Sequence, residues 1–548
     1  MPTVTFNRKT FDRIIGKKID DDLLKDRISY LGTDLEKADD GEIVVEVFPN
    51  RPDMLSEYGF ARALSSFMGI QKGLRKYDVA KSGARVTVTR NVAKVRPYTV
   101  CAIVKNLKLD DEKIKEIIQI QEKLHVTFCR NRKKAAIGIY PLEKIAMPIT
   151  YTAMNPEDIV FQPLDSSEKM NAREILEKHP TGREYGRLLE GQKTYPVFID
   201  SNNEVLSVPP IINSEKTGRI TEATREAFIE CSGFDLVTLN YLLNIISASL
   251  LDMGAEIQSM EVAYPDKTIV TPDMAPWEMK IDYPYINKWL GLDLSERQVA
   301  DYLAAMGYGH KPGHALVPSY RADVLHTVDL AEDIAIAYGY ENFKGEIPKV
   351  ATIAEESPFS KFQEKVARIM IGAGCQEVNT YHLSSQKEQC TMMNCRVDVI
   401  ALANSFSEDY NVLRAWIMPC LLKILADNKT REFPQKIYDY GIIFKANPST
   451  ETGTEENVRL ASVISHSKAD FSEAKQQLGY LLSLLGLPYE IEEEEHPSFI
   501  PGRVGRVKVK GKKVAYIGEL HPIVLQNFGI EMPVSGFEIN LTEIFGLI

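Results

Sequence analysis

Residues 11–32 read FDRIIGKKIDDDLLKDRISYLG, and residues 286–307 read INKWLGLDLSERQVADYLAAMG. Apolar residues and glycines recur at the same spacing in both stretches, although their starts lie 275 positions apart (286 less 11). Self-similarity of this kind indicates two copies of one structural unit. We therefore expect a duplicated module with a long segment between its copies.

The similarity continues past these stretches. Residues 47–55, VFPNRPDML, align with residues 317–325, VPSYRADVL, and a helical pattern that ends at Gly69 or Gly339 follows each one. In the second copy, Ser295-Glu-Arg-Gln298 has the spacing of a capping box, which opens a helix. The pattern predicts two compact α+β modules, over residues 1–75 and 271–347.

The rest of the chain mixes strand-like and helix-like patterns. Alternating apolar residues predict strands, and longer runs with helical spacing predict helices. The predicted strands are 85–89, 98–104, 135–140 and 436–444, with a hairpin over 506–518, and the predicted helices are 111–124, 236–252 and 358–373. The expected fold class is α+β and multidomain, with the two modules on either side of a mixed α/β domain over residues 80–270 and a final domain over residues 350–548.

Composition limits the class of protein. The 548 residues are 44% hydrophobic and 26% charged, which excludes a disordered, collagenous or coiled-coil chain. The start of the chain lacks the apolar segment of a signal peptide, and the longest apolar stretch, 241–254, is too short to span a membrane. The seven cysteines are scattered without paired spacings, so we expect free thiols in a reducing cytoplasm.

Charge limits the expected partners. The net charge of −11 argues against indiscriminate binding to nucleic acid, since phosphate contacts need a local excess of Lys and Arg. Two basic patches, residues 130–134 and 503–513, are candidates for such contacts. Solvated strand ends or hairpins are the alternative interpretation of both patches.

Four acidic residues form the strongest charged pattern: Asp323, Asp329, Glu332 and Asp333. Residues three and four apart share one face of a helix, so the last three carboxylates should converge. Converging carboxylates need a cation, and their oxygens suit Mg²⁺. Acidic residues in the first turns also complement a helix dipole, which is the alternative interpretation.

Comparison of the two copies helps to decide between a magnesium site and a helix-dipole role for these acids. The first copy has Gly59, Arg62 and Ala63 where the second has Asp329, Glu332 and Asp333, so the module forms its helix without these acids. Because Asp53 and Asp323 are shared by both copies, a turn or capping role is also expected for Asp323. The comparison favours the magnesium site.

Known catalytic signatures are missing from the sequence. It contains no Walker loop, Rossmann fingerprint after a strand, HExxH or GxSxG. His310 and His314 have a spacing found in metal sites, but Pro312 and Gly313 between them favour a loop. No complete active site is therefore evident from motifs.

Several dispersed motifs do resemble one family, the β subunits of phenylalanine–tRNA ligases of the archaeal and eukaryotic type. The resemblance covers nearly the whole chain in order. It is carried by residues 46–53, 132–140, 209–213, 321–342, 411–422 and 517–522.

The resemblance implies a role for each segment. The final domain would be a class II synthetase-like antiparallel sheet without catalysis, and no Arg-x-Glu follows strand 436–444. ATP-dependent attachment of phenylalanine would belong to a separate α subunit, in a tetramer of two α and two β chains that acts on tRNA(Phe). The module over 271–347 would be winged-helix-like, with the four acids holding Mg²⁺ at the contact with α.

Residues 80–270 would then form an editing domain that hydrolyses tRNA(Phe) mischarged with tyrosine. A phenylalanine pocket excludes tyrosine incompletely, so a second site must recognise the additional hydroxyl. The candidate residues for this second site are Asn213, Ser214, Glu230 and Asp235, with His179 and Leu206 as lining residues. Each of them could instead form a turn, a helix cap or a salt bridge.

One residue departs from the family pattern. Pro141 stands after the Ala-Ile-Gly strand, where the family usually has an acidic residue. This departure predicts a different loop at the edge of the editing pocket.

Two other classes of protein fit the same sequence. One is a stand-alone metal-dependent hydrolase with the four acids as its active centre. The other is a tRNA-binding scaffold whose central domain has no catalytic activity.

Overall fold

A computed structural model describes residues 2–348, 350 and 353–548. The chain forms two compact units, Met1–Ile347 and Pro348–Ile548. Among the helices of these described residues, none has the length and apolar character needed to cross a membrane.

The first module is a three-stranded antiparallel sheet covered by helices. Its strands are ordered β1-β3-β2. A single 3₁₀ turn, Pro52–Met54, precedes its last helix. The elements are β1 (Thr3–Asn7), α1 (Arg8–Ile15), α2 (Asp21–Tyr30), β2 (Asp34–Ala38), β3 (Glu42–Glu46) and α3 (Glu57–Phe67).

The middle of this unit is a ten-stranded sheet. Its order is β12-β11-β10-β7-β4-β14-β5-β13-β6, with β15 beside β14, and its pairs are antiparallel except for β4 with β14 and with β7. The strands are β4 (Val79–Val88), β5 (Tyr98–Lys105), β6 (Ala135–Pro141), β7 (Ile149–Met154), β8 (Val160–Phe161), β9 (Met170–Asn171), β10 (Tyr195–Ile199), β11 (Val205–Val208), β12 (Ile212–Asn213), β13 (Ala227–Gly233), β14 (Glu256–Ala263) and β15 (Thr268–Thr271); β8 and β9 pair separately. The helices are α4 (Asp111–Val126), α5 (Ala172–Lys178), α6 (Pro180–Tyr185), α7 (Glu215–Gly218) and α8 (Leu236–Asp252).

The second module repeats the first. Its sheet order, β16-β18-β17, matches β1-β3-β2, and Ser295 and Gln298 form the expected capping box. The two predicted modules thus have the same strand order in the structure. Its elements are β16 (Trp277–Lys280), α9 (Tyr283–Leu290), α10 (Glu296–Ala305), β17 (Gly309–Lys311), β18 (His314–Val317) and α11 (Thr327–Tyr338).

One apolar core joins the two modules to the middle sheet. It contains Phe11 of the first module, Val100 and Leu243 of the middle segment, and Ile286 and Leu303 of the second module, all at most 1% exposed. Burial of apolar side chains is the main force that favours folding. The three segments therefore fold as one unit, although the copies are far apart in the sequence.

An arginine and an aspartate two residues apart form a buried ion pair in each module. Arg51 donates to both carboxylate oxygens of Asp53 at 2.8 Å. Arg321 donates to those of Asp323 at 2.9 and 2.7 Å, and also to Asp333 at 2.7 Å. The shared aspartate is thus an ion-pair partner of its arginine, which corrects the turn or capping role expected for Asp323.

The two ion pairs lie close to each other. Burial raises the pKa of Asp53, but Arg51 and then Arg321 outweigh this effect and lower the pKa overall. Arg62 of α3 also reaches the second module, since its guanidinium lies 4.1 Å from the centre of the Tyr320 ring. The corresponding loops of the two copies therefore meet.

The Pro348–Ile548 unit is built on a seven-stranded sheet. Its order is β19-β23-β24-β28-β27-β26-β25, antiparallel except for β19 with β23, and β20, β22 and β21 form a separate sheet. The strands are β19 (Gln376–Glu377), β20 (Leu383–Ser384), β21 (Ile400–Ala401), β22 (Val412–Leu413), β23 (Gln435–Ala446), β24 (Thr454–Ser465), β25 (Tyr489–Glu493), β26 (Phe499–Val509), β27 (Lys512–Leu520) and β28 (Val534–Asn540). The helices are α12 (Pro358–Gly372), α13 (Met418–Asp427), α14 (Phe471–Leu484), α15 (Pro522–Phe528) and α16 (Leu541–Phe545).

This sheet is buried on both faces. Successive residues of a strand point to opposite faces, and Ile437 and Tyr438 of β23 belong to two different apolar cores. Together the two units give a mixed α+β, multidomain fold, as predicted.

We predict that Arg321→Gln destabilises the fold more than Arg51→Gln. Arg321 neutralises the buried Asp333 and the partly buried Asp323, whereas Arg51 neutralises the buried Asp53, and leaving a buried charge without its partner costs about 3–5 kcal/mol. Urea unfolding monitored by circular dichroism measures the effect. Arg297→Gln, at an exposed position of α10, is the control and should change stability by less than about 0.5 kcal/mol; equal stability of all three variants would contradict the prediction.

Candidate active site and acidic cluster

A cavity of about 410 Å³, here called the central cavity, opens in the middle segment of the first unit. Apolar side chains of α4 and β6 form one side, and the segment from Ser207 to Asn213 forms another. Its polar lining includes Arg132, His179, Ser207, Asn213 and Glu230.

Strand pairing brings Glu230 to this cavity. Glu230 of β13 lies opposite Gly138 of β6 in the antiparallel ladder. A Cβ atom at position 138 would overlap both the Tyr140 hydroxyl and the Glu230 carboxyl. A glycine is therefore required there for these two groups to approach each other.

Tyr140 is the centre of a buried hydrogen-bond network. Its hydroxyl lies 2.8 Å from Ser207 Oγ, 3.2 Å from Glu230 Oε1 and 3.3 Å from Asn213 Oδ1. A phenolic hydroxyl has a single proton to donate, so neighbouring groups must supply the other protons. A protonated Glu230 can supply one of them.

Burial raises the pKa of Glu230 to about 8, and opposing effects of Arg96, Tyr140 and Ser232 do not offset it. The carboxyl group is therefore mostly neutral at pH 7 and can both donate and accept hydrogen bonds. A titratable group with a strongly shifted pKa in a cavity is typical of a functional site.

Three buried polar atoms of this cavity's lining residues have no partner in the described part of the chain. They are Glu230 Oε2, His179 Nδ1 and Arg132 Nε. Leaving a buried polar atom unpaired costs about 1–3 kcal/mol, so such atoms indicate a place where a ligand or water binds. The cavity therefore combines apolar walls with free hydrogen-bonding capacity.

The structure brings together three of the predicted residues. Glu230, Asn213 and His179 line the central cavity. Ser214 is buried and its backbone N–H donates to Leu206 O, while the Leu206 side chain packs in an adjacent apolar core. Ser214 and Leu206 thus support the wall instead of lining the cavity.

Asp235 does not lie at the cavity. Its side chain is exposed and accepts hydrogen bonds from the backbone N–H groups of Val237 and Thr238. Residue 235 begins α8, whose first N–H groups have no partner within the helix, and a carboxylate there caps them. The prediction that Asp235 shares a site with Glu230 is corrected accordingly.

Sequence reasoning missed Tyr140, Ser207 and Gly138 as site residues. The signal was present for two of them, because residues 138 and 140 alternate onto one face of a predicted strand. Pro141 is the last residue of that strand, where it pairs with Ala227, and does not line the central cavity.

The four acids of the second module, here called the acidic cluster, are held by other groups. Asp323 and Asp333 pair with Arg321, and Asp333 also accepts a hydrogen bond of 2.5 Å from Tyr308. Asp329 accepts from the backbone N–H groups at 325 and 326, at 2.6 and 2.7 Å, and so caps α11. Partial burial and the charges of the three aspartates raise the pKa of Glu332.

The acidic cluster fits magnesium in its chemistry but not in its placement. The cluster has four carboxylates and a single guanidinium, that of Arg321. Its carboxylate oxygens are ligands that suit a hard cation. However, in the described residues no three His, Cys, Asp or Glu side chains are grouped so that they could hold a metal ion. The magnesium site therefore stays a prediction, and in this arrangement Arg321 and the start of α11 engage three of the four carboxylates.

Several side chains of the two basic patches make contacts within the protein. Arg132 turns inward, where it donates to Pro210 O and Ile211 O and stacks on Tyr185 at 4.2 Å. In the hairpin, ion pairs join Arg503 to Glu519, Lys508 to Glu492 and Lys513 to Glu494. These contacts favour the strand-end and hairpin interpretation.

Comparison with known proteins first identifies the class of protein to which the chain is related. Residues 279–340, which cover most of the second module, match the family model described as the tRNA synthetase B5 domain. Residues 344–541 match the model described as the phenylalanyl tRNA synthetase beta chain CLM domain. The chain is thus related to subunits of aminoacyl-tRNA synthetases.

Full-length relatives and a solved structure define the family. The chain is 39% identical to the phenylalanine–tRNA ligase beta subunit of Pyrococcus furiosus, with 100% of both chains covered, and 38% identical to that of Archaeoglobus fulgidus, with 100% and 99% covered. A crystal structure of an N-terminal fragment of the Pyrococcus horikoshii phenylalanyl-tRNA synthetase beta subunit has a TM-score of 0.60 at 38% identity, covering 62% of this chain and 100% of that one. The chain belongs to the family of phenylalanine–tRNA ligase beta subunits.

We predict that Glu230→Gln stabilises the fold increasingly as the pH rises from 5 to 8. In that range the unfolded carboxyl has lost its proton and the folded one, with a pKa of about 8, still binds it. The free energy of unfolding of the wild type therefore falls as the pH rises, by roughly 1–3 kcal/mol after partial relaxation. Glutamine does not titrate, so the variant does not lose this stability. Urea unfolding at several pH values tests this. Glu226→Gln, beside Lys105 near the surface, is the control, and an unchanged pH profile for Glu230→Gln would contradict the prediction.

Proposed function

We propose that this β subunit hydrolyses Tyr-tRNA(Phe) in its central cavity. The supporting observation is the buried network of Tyr140, Ser207, Asn213 and Glu230, with the unpartnered Glu230 Oε2. A buried group that can donate and accept hydrogen bonds would recognise the phenolic hydroxyl that distinguishes tyrosine from phenylalanine.

The reaction is hydrolysis of an ester. Water attacks the carbonyl carbon of the tyrosyl ester, the bond to the ribose oxygen breaks, and tyrosine and uncharged tRNA(Phe) are released. His179 Nδ1 is unpartnered at the cavity, and it is our candidate for holding the attacking water. Apolar side chains of the lining, including Ile137 and Ile139, would contact the aromatic ring.

We further propose that phenylalanine is activated on an α subunit. The Pro348–Ile548 unit has a largely antiparallel sheet, which suits a class II synthetase-like domain, and no Arg-x-Glu follows β23 in the sequence. The assembly would be two α and two β chains that act on tRNA(Phe) in the cytoplasm. All seven cysteines are free thiols, which agrees with a reducing compartment.

We predict that Glu230→Ala in the complex with the α subunit slows deacylation of Tyr-tRNA(Phe) roughly 5- to 150-fold at pH 7, because loss of a buried hydrogen-bonding group costs about 1–3 kcal/mol. Glu230→Gln should keep most of the activity at pH 7, since a neutral carboxyl and an amide both donate and accept. Above pH 8 the wild type should lose activity relative to Glu230→Gln. Release of labelled tyrosine measures the rate.

Two controls accompany this experiment. Glu226→Ala should leave deacylation unchanged, and attachment of phenylalanine to tRNA should be the same in all variants. If Glu230→Ala deacylates at the wild-type rate, the central cavity is not the hydrolytic site. If the wild-type chain is inactive in the complex, the scaffold interpretation is correct.

We propose, finally, that Mg²⁺ binds the acidic cluster after its carboxylates rearrange. Repulsion at Glu332 supports this proposal, since a cation would relieve it. No step of the hydrolysis depends on the ion. Asp329 accepts a hydrogen bond from the backbone N–H of Leu325, just before α11. Binding of Mg²⁺ to Asp329 would compete with this hydrogen bond.

We predict that about 10 mM MgCl₂ raises the Tm of the full chain by about 2 °C or more, because an ion that binds only the folded state stabilises it. Glu332→Gln should abolish the shift, and Glu296→Gln, an exposed acid of α10 in the same module, should retain it. Differential scanning calorimetry at constant ionic strength gives the measurement. An equal shift in both variants would exclude the acidic cluster.

A further inference from the structure

Helix α4 contacts both the central cavity and the first module. The α4 residues that line the cavity recur at helical spacing, at positions 114, 117, 118, 121, 122 and 125. A second row, Glu112, Glu116 and Gln119, makes hydrogen bonds with the first module. At about 3.6 residues per turn, the two rows lie on opposite faces of the helix. We call the second row the α4 seam.

Glu116 makes the shortest contact of the α4 seam with the first module. Its Oε1 accepts a hydrogen bond of 2.6 Å from the backbone N–H of Glu57, the first residue of α3. The contacts of the other two seam residues are longer, at 3.3 and 3.5 Å. The polar attachment of α4 to the first module therefore depends chiefly on Glu116.

A second carboxyl group is buried beside Glu116. Glu57 and Glu116 are each 7% exposed, and Glu57 Oε1 is a buried atom without a partner in the described residues. Two neighbouring carboxylates repel each other, and burial penalises each charge further. A proton on either group removes the repulsion and gives the pair a hydrogen-bond donor.

The pair binds protons more tightly than carboxyl groups in water do. Burial, and then the charges of Glu116 and Glu112, raises the pKa of Glu57 to about 8. Burial raises the pKa of Glu116 to about 7, although the N–H of Glu57 and the side chain of Gln119 oppose the shift. The pair therefore still holds protons at neutral pH.

The neighbouring charged groups do not neutralise the pair. Arg13 of α1 acts on Glu57, but burial outweighs its effect on the pKa. Glu112 and, near Tyr58, Asp110 add negative charge. The pKa of Tyr58 of α3 is raised, chiefly by burial, so its hydroxyl is uncharged. Without its protons, the pair would be a buried centre of negative charge.

From this geometry we infer that the Glu57–Glu116 contact is a pH-sensitive joint between α4 and the first module. Protons on the pair keep the joint closed, and their loss opens it because the two carboxylates then repel each other. The opposite face of α4 is part of the cavity wall, so opening of the joint frees this wall from its attachment to the first module. The inference does not depend on the proposed hydrolysis.

The direction of the pH effect follows from the two states of the joint. When it is open, both carboxyl groups are in water and lose their protons near the ordinary pKa of about 4.3. When it is closed, they keep protons until the pH passes about 7 to 8. The preference for the closed joint is therefore complete below a pH of about 4 and is lost as the pH rises through 7 and 8.

Hydrogen exchange of the full-length chain, measured by mass spectrometry between pH 6 and 9, tests the inference. Division of each exchange rate by the intrinsic rate at the same pH gives the protection of each segment. In the wild type, the protection of α4 should fall roughly tenfold or more across this range, because α4 opens locally. The protection of α8, which contributes to the same apolar core, should fall less.

Variants of the pair should reduce this fall in protection. Glu57→Gln and Glu116→Gln each replace a titrating group with a neutral amide of similar size, so each should make the fall smaller, and the double variant should abolish it. Glu112→Gln is the matched control, since Glu112 is an exposed residue of the same seam, and it should keep the fall. Glu230→Gln should keep it as well, because Glu230 lies on β13.

Four results would overturn the inference. They are constant protection of α4 in the wild type, an undiminished fall in the double variant, an equal fall in α8, and loss of the fall in Glu230→Gln. Equal falls in α4 and α8 would indicate opening of the whole unit, and loss of the fall in Glu230→Gln would assign it to the central cavity. The measurement requires no tRNA, so its outcome is independent of whether the chain hydrolyses Tyr-tRNA(Phe).

Discussion

Two arginine–aspartate pairs, one from each copy of the duplicated module, lie close together within the N-terminal unit and constrain how its two copies meet. A buried charge is costly unless a partner offsets it, and here each arginine is offset within its own loop while the two loops lie side by side. The pairing therefore restricts how the copies can be arranged. The middle sheet, with the central cavity, lies between the copies in the sequence and shares their apolar core.

Burial has opposite effects on two carboxyl groups of this unit. Asp53 is buried beside arginines and stays ionised, with a lowered pKa. Glu230 is buried among a tyrosine hydroxyl and apolar walls, and its pKa rises to about 8. The same chemical group, a carboxyl, thus provides a structural ion pair in one place and a neutral hydrogen-bonding group in another. The surroundings, and not the residue, decide which role a carboxyl takes.

Much of the fold was predictable because its signals are local or repeated. The helix over 236–252 was predicted with its observed limits, and the duplication predicted two compact α+β modules, each of which has a three-stranded sheet in the structure. The site was only partly predictable, since Glu230 and Asn213 are brought to the cavity by long-range strand pairing. Asp235 was misassigned because a helix cap and a catalytic carboxylate have the same local sequence pattern. The engagement of three cluster acids depends on Arg321 and on backbone geometry that helical spacing does not reveal.

The position of the copies along the chain also affects its synthesis. The first module contributes Phe11 to a core that is completed only by residues such as Ile286 and Leu303. At a translation rate of about 5–20 residues per second, the 275 positions from 11 to 286 take roughly 15–55 s to appear. During that interval the nascent chain exposes apolar surface that no later segment yet covers. The duplicated architecture therefore delays completion of this core until the second module has been synthesised.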